Sequence, residues 1–127
     1  MASRRVLVID DDPDFLDYVS IVLSCNGYAV QTATSVSTGL DQMRAWAPHL
    51  VIADVMMSRT LEGGNICREM RADPQLRDIP LILVSAIVND DDEAVYADIR
   101  NAQVDGFMRK PLEPNDLVAR VAALLSA

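Results

Sequence analysis

Positive charge is scarce in this chain. Lys110 is its single lysine, and ten arginines stand against nineteen acidic residues, for a net charge of −8. The pI near 4.4 argues against direct nucleic-acid binding, which needs a basic face. It leaves room for a cation site and for basic protein partners. Two cysteines, Cys25 and Cys67, are too few for a disulfide framework. Both fall on predicted helices and read as small buried hydrophobes in a reducing cytosol. No apolar run reaches the roughly 20 residues of a membrane span. The N-terminal Met1-Ala2-Ser3-Arg4-Arg5 leads straight into a strand with no h-region or cleavage site, so no secretory signal is expected. His49 is the lone histidine, and nothing beside it marks it for phosphoryl chemistry, so a structural role is expected. Linkers, repeats and low-complexity segments are missing too. A flavin site fits poorly, because acids follow the first strand where a Ser/Thr/Gly-rich phosphate loop would be needed.

What is present is a regular alternation. With 127 residues, half of them apolar, the chain fits one domain with a real core. Short apolar runs predict strands over about 5–9, 29–33, 50–54, 80–85 and 105–108. Amphipathic stretches predict helices over about 13–25, 36–46, 64–72, 92–102 and 115–126. Such alternation implies βαβ units and a parallel sheet. Boundary signals agree: Asp12 suits an N-cap and Pro13 the first helical position, Gly27 fits the site after that helix, and Pro114 opens the last one with Asn115 or Asp116 in its first turn. A single domain over 1–127 is expected, with a core over about 5–125 and no effector domain in the chain.

The chemistry stands where the strands end. Val6-Leu7-Val8-Ile9 runs into Asp10-Asp11-Asp12; the third strand ends at Asp54, the fourth at Ser85, and the fifth delivers Lys110-Pro111. Parallel strands bring these ends to one edge, where open α/β sheets bind ligands. Two carboxylates about 4 Å apart repel by about 4 kcal/mol at an effective dielectric near 20, so a cluster of acids calls for a cation. Hard oxygen ligands suit Mg²⁺, and a compact ammonium facing them suits a phosphoryl oxygen or a carboxylate.

Four motifs, VIDDDP at 8–13, IADVMM at 52–57, LVSA at 83–86 and FMRKP at 107–111, each follow a strand in a five-fold βα repeat. With them the chain, from Arg5 to Leu125, resembles the receiver domain of two-component response regulators. The resemblance implies a flavodoxin-like, doubly wound sheet of five parallel strands in order 2-1-3-4-5 with five helices. It implies that Asp54 is the phosphoacceptor and that Asp10 and Asp11 hold Mg²⁺, Asp11 more directly, with the Met56 backbone carbonyl as a further ligand. Ser85 takes the place of the switch hydroxyl, Lys110 of the lysine that contacts the phosphoryl group, and Phe107 of the aromatic switch. A cis Lys110–Pro111 bond is implied as well. The implied partners are a sensor histidine kinase or phosphotransfer protein, which donates the phosphoryl group, and a downstream protein or effector domain. A homodimer through the segments 92–102, 105–108 and 115–126 is allowed, with Asp98, Arg100, Asp116 and Arg120 able to pair across it. A cytoplasmic protein that is not a turnover enzyme is expected.

Departures from the pattern lie in loops. Ser58 stands where the family has proline, the segment 58–63 is one residue longer than usual, Glu62 replaces a common aspartate, and the span from Ser85 to Lys110 carries a surplus near 88–93. Met56 and Ile87, two residues beyond Asp54 and Ser85, are apolar and cannot orient an attacking water, so slow self-dephosphorylation is expected. Structural readings suit other residues: Asp12 as a helix cap, Asp90-Asp91-Asp92-Glu93 as a helix N-terminus, Trp46 and Phe15 as core. Two other functions compete. One is a receiver fold that takes no phosphate. The other is a haloacid-dehalogenase-type phosphohydrolase using Asp10-x-Asp12, for which Glu113 and Asp116 would have to serve as the late acidic pair.

Overall fold

A computed structural model describes residues 4–54, 62–85 and 105–125. Five strands, β1 (Arg5–Ile9), β2 (Ala29–Ala33), β3 (Leu50–Asp54), β4 (Leu81–Ser85) and β5 (Gly106–Arg109), form one parallel sheet in the order 2-1-3-4-5. Four helices are described: α1 (Pro13–Cys25), α2 (Val36–Trp46), α3 (Glu62–Ala72) and α4 (Pro114–Leu125). The helix expected over 92–102 lies outside the described residues, as do Met56, Ile87, most of the 58–63 loop and the 90–93 acidic run. α3 begins two residues earlier than the apolar pattern suggests.

Alternation along the strands sorts the core into two layers. Leu7, Ile9, Val51, Ala53, Leu81 and Leu83 face one side, where Met43 of α2 and Ile66, Cys67 and Met70 of α3 cover them. Val6, Val8, Leu50, Ile52, Ile82 and Val84 face the other, under Leu16, Val19 and Leu23 of α1 and Leu117 and Val121 of α4. The central strands are thus apolar on both faces, which is why they read as continuous runs rather than as half-buried strands. Burying each such side chain contributes on the order of 2 kcal/mol.

Local signals set the helix ends. The Asp12 carboxylate accepts from the Asp14 N–H at 3.0 Å, with Pro13 in the first turn. Ser35 caps α2 by accepting from the Thr38 N–H. After α1, Gly27 takes φ +90°, a region open to glycine at little cost. At α4 the capping group is the Glu113 carboxylate, which accepts from the Asp116 N–H at 3.0 Å. Glu113 thus has a structural use as a helix cap. His49 is structural, as expected: its Nδ1 accepts from the Arg5 N–H at 2.9 Å, and its own N–H donates to the Arg5 carbonyl.

One expectation fails. Cys25 is exposed, while Cys67 is buried. Helix α1 buries Leu16, Val19 and Leu23, and two residues beyond Leu23 a helix has turned by about 200°. Cys25 therefore points away from the sheet.

Candidate functional site

Among the described residues, three polar side chains are buried: Asp10, Asp54 and Ser85. All three stand at the C-terminal ends of adjacent strands. Asp10 directly follows β1, and its N–H donates to the Ala33 carbonyl, which continues the ladder with β2 for one more residue. Asp54 closes β3, paired in register with Val84, and Ser85 closes β4.

Asp10 is fully buried, and both of its oxygens are engaged. Oδ1 accepts from the Asp12 N–H at 2.9 Å, and Oδ2 accepts from the Lys110 ammonium at 2.7 Å. The same ammonium lies 3.4 Å from Oδ2 of Asp54. Asp11, one position along, is exposed, because the chain bends there after leaving β1 and the Asp12 N–H turns back onto Asp10. Even so, one carboxylate oxygen from each of Asp10, Asp11 and Asp54 can be chosen so that all lie within 4.8 Å of one another.

Lys110 arrives just after β5, where its N–H donates to the Ser85 carbonyl at 2.8 Å. The Lys110–Pro111 bond is cis. The side chain then crosses to β1 and β3 and is only 18% exposed. Its Nζ also stands 4.2 Å from the centroid of the Phe15 ring, on the first turns of α1. Phe15, expected from sequence to be core, is partly buried and does pack on the α1 side of the core. No signal in the sequence announces its contact with the ammonium. Phe107 is partly buried against the opposite layer.

Electrostatics follows from the burial. Desolvation raises the Asp10 pKa above its ordinary value, more than the hydrogen bonds from Lys110 and the Asp12 N–H lower it, and the Asp54 charge adds to the rise. For Lys110, burial pulls the pKa down, but the hydrogen bond to Asp10 and the charges of Asp54 and Asp10 outweigh it, so the ammonium is held above its usual range. The site is a proton-retaining cation set beside three acids. Its donor set of clustered carboxylate oxygens fits a small hard cation, and the Asp10–Lys110 pair already sets one positive charge against the cluster. With one ammonium for three acids, the site is suited to bind a further cation together with an anionic oxygen group.

The sequence carries a match to the response regulator receiver domain over residues 6–122. It is 34% identical over 121 residues to the DNA-binding dual master transcriptional regulator RpaA of Synechocystis sp., covering 95% of this chain and 48% of that protein. It is 32% identical over 122 residues to the DNA-binding response regulator MtrA of Mycolicibacterium smegmatis, covering 96% of this chain and 50% of that one. The chain thus spans about half the length of these curated relatives. Among solved structures, the signal receiver domain of a signal transduction histidine kinase from Syntrophus aciditrophicus superposes with a TM-score of 0.86 at 26% identity, covering 98% of this chain and 91% of that one. The chain belongs to the response regulator receiver family.

Proposed function

We propose that Asp54 accepts a phosphoryl group in a Mg²⁺-dependent reaction and that residues 1–127 act as one receiver unit whose phosphorylation switches a protein-interaction surface. The carrying observation is that the buried polar side chains among the described residues all converge on one sheet edge, with Lys110 Nζ 2.7 Å from Asp10 and 3.4 Å from Asp54. An ordinary structural salt bridge would not gather two buried acids and a third at its rim.

The nucleophile is a carboxylate oxygen of Asp54. It forms a bond to phosphorus as the bond from phosphorus to the donor breaks, and the donor leaves with its bonding pair: the imidazole of a phosphohistidine on a sensor histidine kinase or phosphotransfer protein, or acetate from acetyl phosphate. Such transfer needs alignment and charge neutralisation more than covalent assistance. Asp10, Asp11 and Asp54, with the Met56 backbone carbonyl, are the groups that would hold Mg²⁺, which when bound supplies positive charge to the phosphoryl oxygens. Lys110 presents its ammonium on the other side, and Ser85 donates a hydrogen bond to the product. Ser85 and Phe107 then read the phosphoryl group out to a downstream protein or effector domain.

We read the chain as a signalling phosphoacceptor rather than an enzyme with turnover, and as cytoplasmic; among the described residues no helix is long and apolar enough to cross a membrane. RpaA and MtrA are named as DNA-binding, but each is about twice the matched length, and the net charge of −8 supports no direct nucleic-acid contact by this domain. Intact-mass spectrometry after acetyl phosphate and Mg²⁺ tests the reading. Wild type is expected to gain one phosphoryl group and Asp54→Asn none. Equal uptake by Asp54→Asn overturns the assignment, and no uptake by wild type favours a receiver fold that takes no phosphate.

A further inference from the structure

Lysine is a poor positioner of its own charge. Its four-carbon stem gives the ammonium wide freedom, and here that stem lies beside an open groove of about 550 Å³ lined by Asp12, Asp14, Phe15, Tyr18, Pro111 and Leu112. Two contacts from α1 act on it. The Phe15 ring, itself part of the groove wall, stands with its centroid 4.2 Å from Nζ, and Asp10 and Asp54 are the ammonium's ion-pair partners among the described residues. One turn on, the Tyr18 hydroxyl donates to the Leu112 carbonyl at 2.7 Å. Leu112 lies two residues past Lys110 and is itself buried, so this bond ties the loop that carries the lysine. Residues three apart share a helix face, and one face of α1 thus grips both the tip and the root of Lys110.

We propose that Phe15 and Tyr18 are positioning residues for Lys110, the ring confining the ammonium against the acids through its π-face and the hydroxyl fixing the loop from which the lysine springs. The two carboxylates alone set a distance but not a direction. Once a phosphoryl group sits on Asp54, the ammonium must share itself between Asp10 and the new oxygens, and the ring keeps it from swinging into the groove. The proposal rests on the phosphoacceptor reading for its consequence on rate, though not for the clamp itself.

Because Lys110 is the only lysine, protein labelled with ¹³C,¹⁵N-lysine yields one side-chain signal, and its order parameter reads the clamp directly. Phe15→Leu keeps apolar bulk and removes the π-face; Phe15→Tyr keeps the ring; Tyr18→Phe removes only the hydroxyl. Wild type and Phe15→Tyr are expected to show an ordered Lys110 terminus, and Phe15→Leu and Tyr18→Phe a mobile one, with unchanged amide spectra away from the groove. Phosphorylation by acetyl phosphate with saturating Mg²⁺ is expected to slow by about five-fold in Phe15→Leu, in line with a partly desolvated cation–π contact, and to recover in Phe15→Tyr. An equally ordered lysine in Phe15→Leu, or a Phe15→Tyr variant as loose as Phe15→Leu, overturns the proposal. If wild type takes no phosphate at all, the phosphoacceptor reading fails, and the order parameters still decide the clamp.

Discussion

Replacing Lys110 with methionine tests the charge balance of the site most directly. The ammonium is 2.7 Å from Asp10 and 3.4 Å from Asp54. At an effective dielectric near 20, those separations correspond to gross attractions of about 6 and about 5 kcal/mol. Desolvation of the buried Asp10 and ordering of a long side chain offset much of this, and removing one partner of a buried pair typically costs about 3–5 kcal/mol. Lys110→Met is therefore expected to destabilise the metal-free protein by about 3 kcal/mol at pH 7, read from urea unfolding with EDTA present. The sign of the pH dependence follows from Asp10. Its pKa, already raised by burial, rises further without Lys110, so the folded state holds a proton that the unfolded state has released. The penalty is complete above the folded pKa and shrinks as pH falls through it. Asp10→Asn removes the stranded charge, so the double variant is expected to recover at least about 1 kcal/mol of coupling relative to the sum of the single changes. Additivity within about 0.5 kcal/mol, or a penalty that does not change with pH, would refute the idea that Lys110 exists to balance a buried acid.

Gly39→Ala is expected to destabilise the fold by about 1–2 kcal/mol despite a better helix propensity, because the new Cβ would stand 2.4 Å from Ile9 Cδ1 and 2.9 Å from Cγ1; Ile9→Val, which removes Cδ1 but keeps Cγ1, should make the Gly39→Ala change less costly in the double variant than in wild type in the same urea assay. The His49 pKa is lowered by burial and by the Arg5 and Arg4 charges, so the unfolded chain takes up a proton near pH 6.5 before the folded one does. Stability should therefore fall as pH drops below about 6.5, by no more than about 1.4 kcal/mol per pH unit, and His49→Gln should flatten that slope. Phosphorylated protein should lose its phosphate slowly, over minutes or longer, because Met56 and Ile87 offer no hydrogen bond to an attacking water; a half-life of seconds by intact-mass spectrometry would contradict this.

Much of the architecture is legible in the sequence, because each step is local. Apolar runs bounded by Asp, Ser or Gly become strands, and their lack of polar alternation already says that both faces are covered. The Asp12–Pro13 start of α1 and the Gly27 turn are legible for the same reason: capping is decided by residues two or three apart. For Cys25 the local signal exists but is faint, since only the Leu16–Val19–Leu23 stripe places it off the buried face. The Glu113 cap is ambiguous in sequence, because Asn115 or Asp116 suits the first turn as well.

The order of residues alone dictates which side chains end each strand, and hence that acids, a hydroxyl and an ammonium share one edge of a parallel sheet. How those groups are placed relative to one another is decided by the packed chain. Asp10 and Asp11 are adjacent and chemically alike, yet one is buried against Lys110 and the other is exposed, because the chain bends away from the sheet directly after Asp10. Phe15 is 95 positions from Lys110 and meets it solely because α1 and the loop after β5 pack on the same face of the sheet. Contacts of that kind have no periodicity and no local signature; they exist only once the chain has closed.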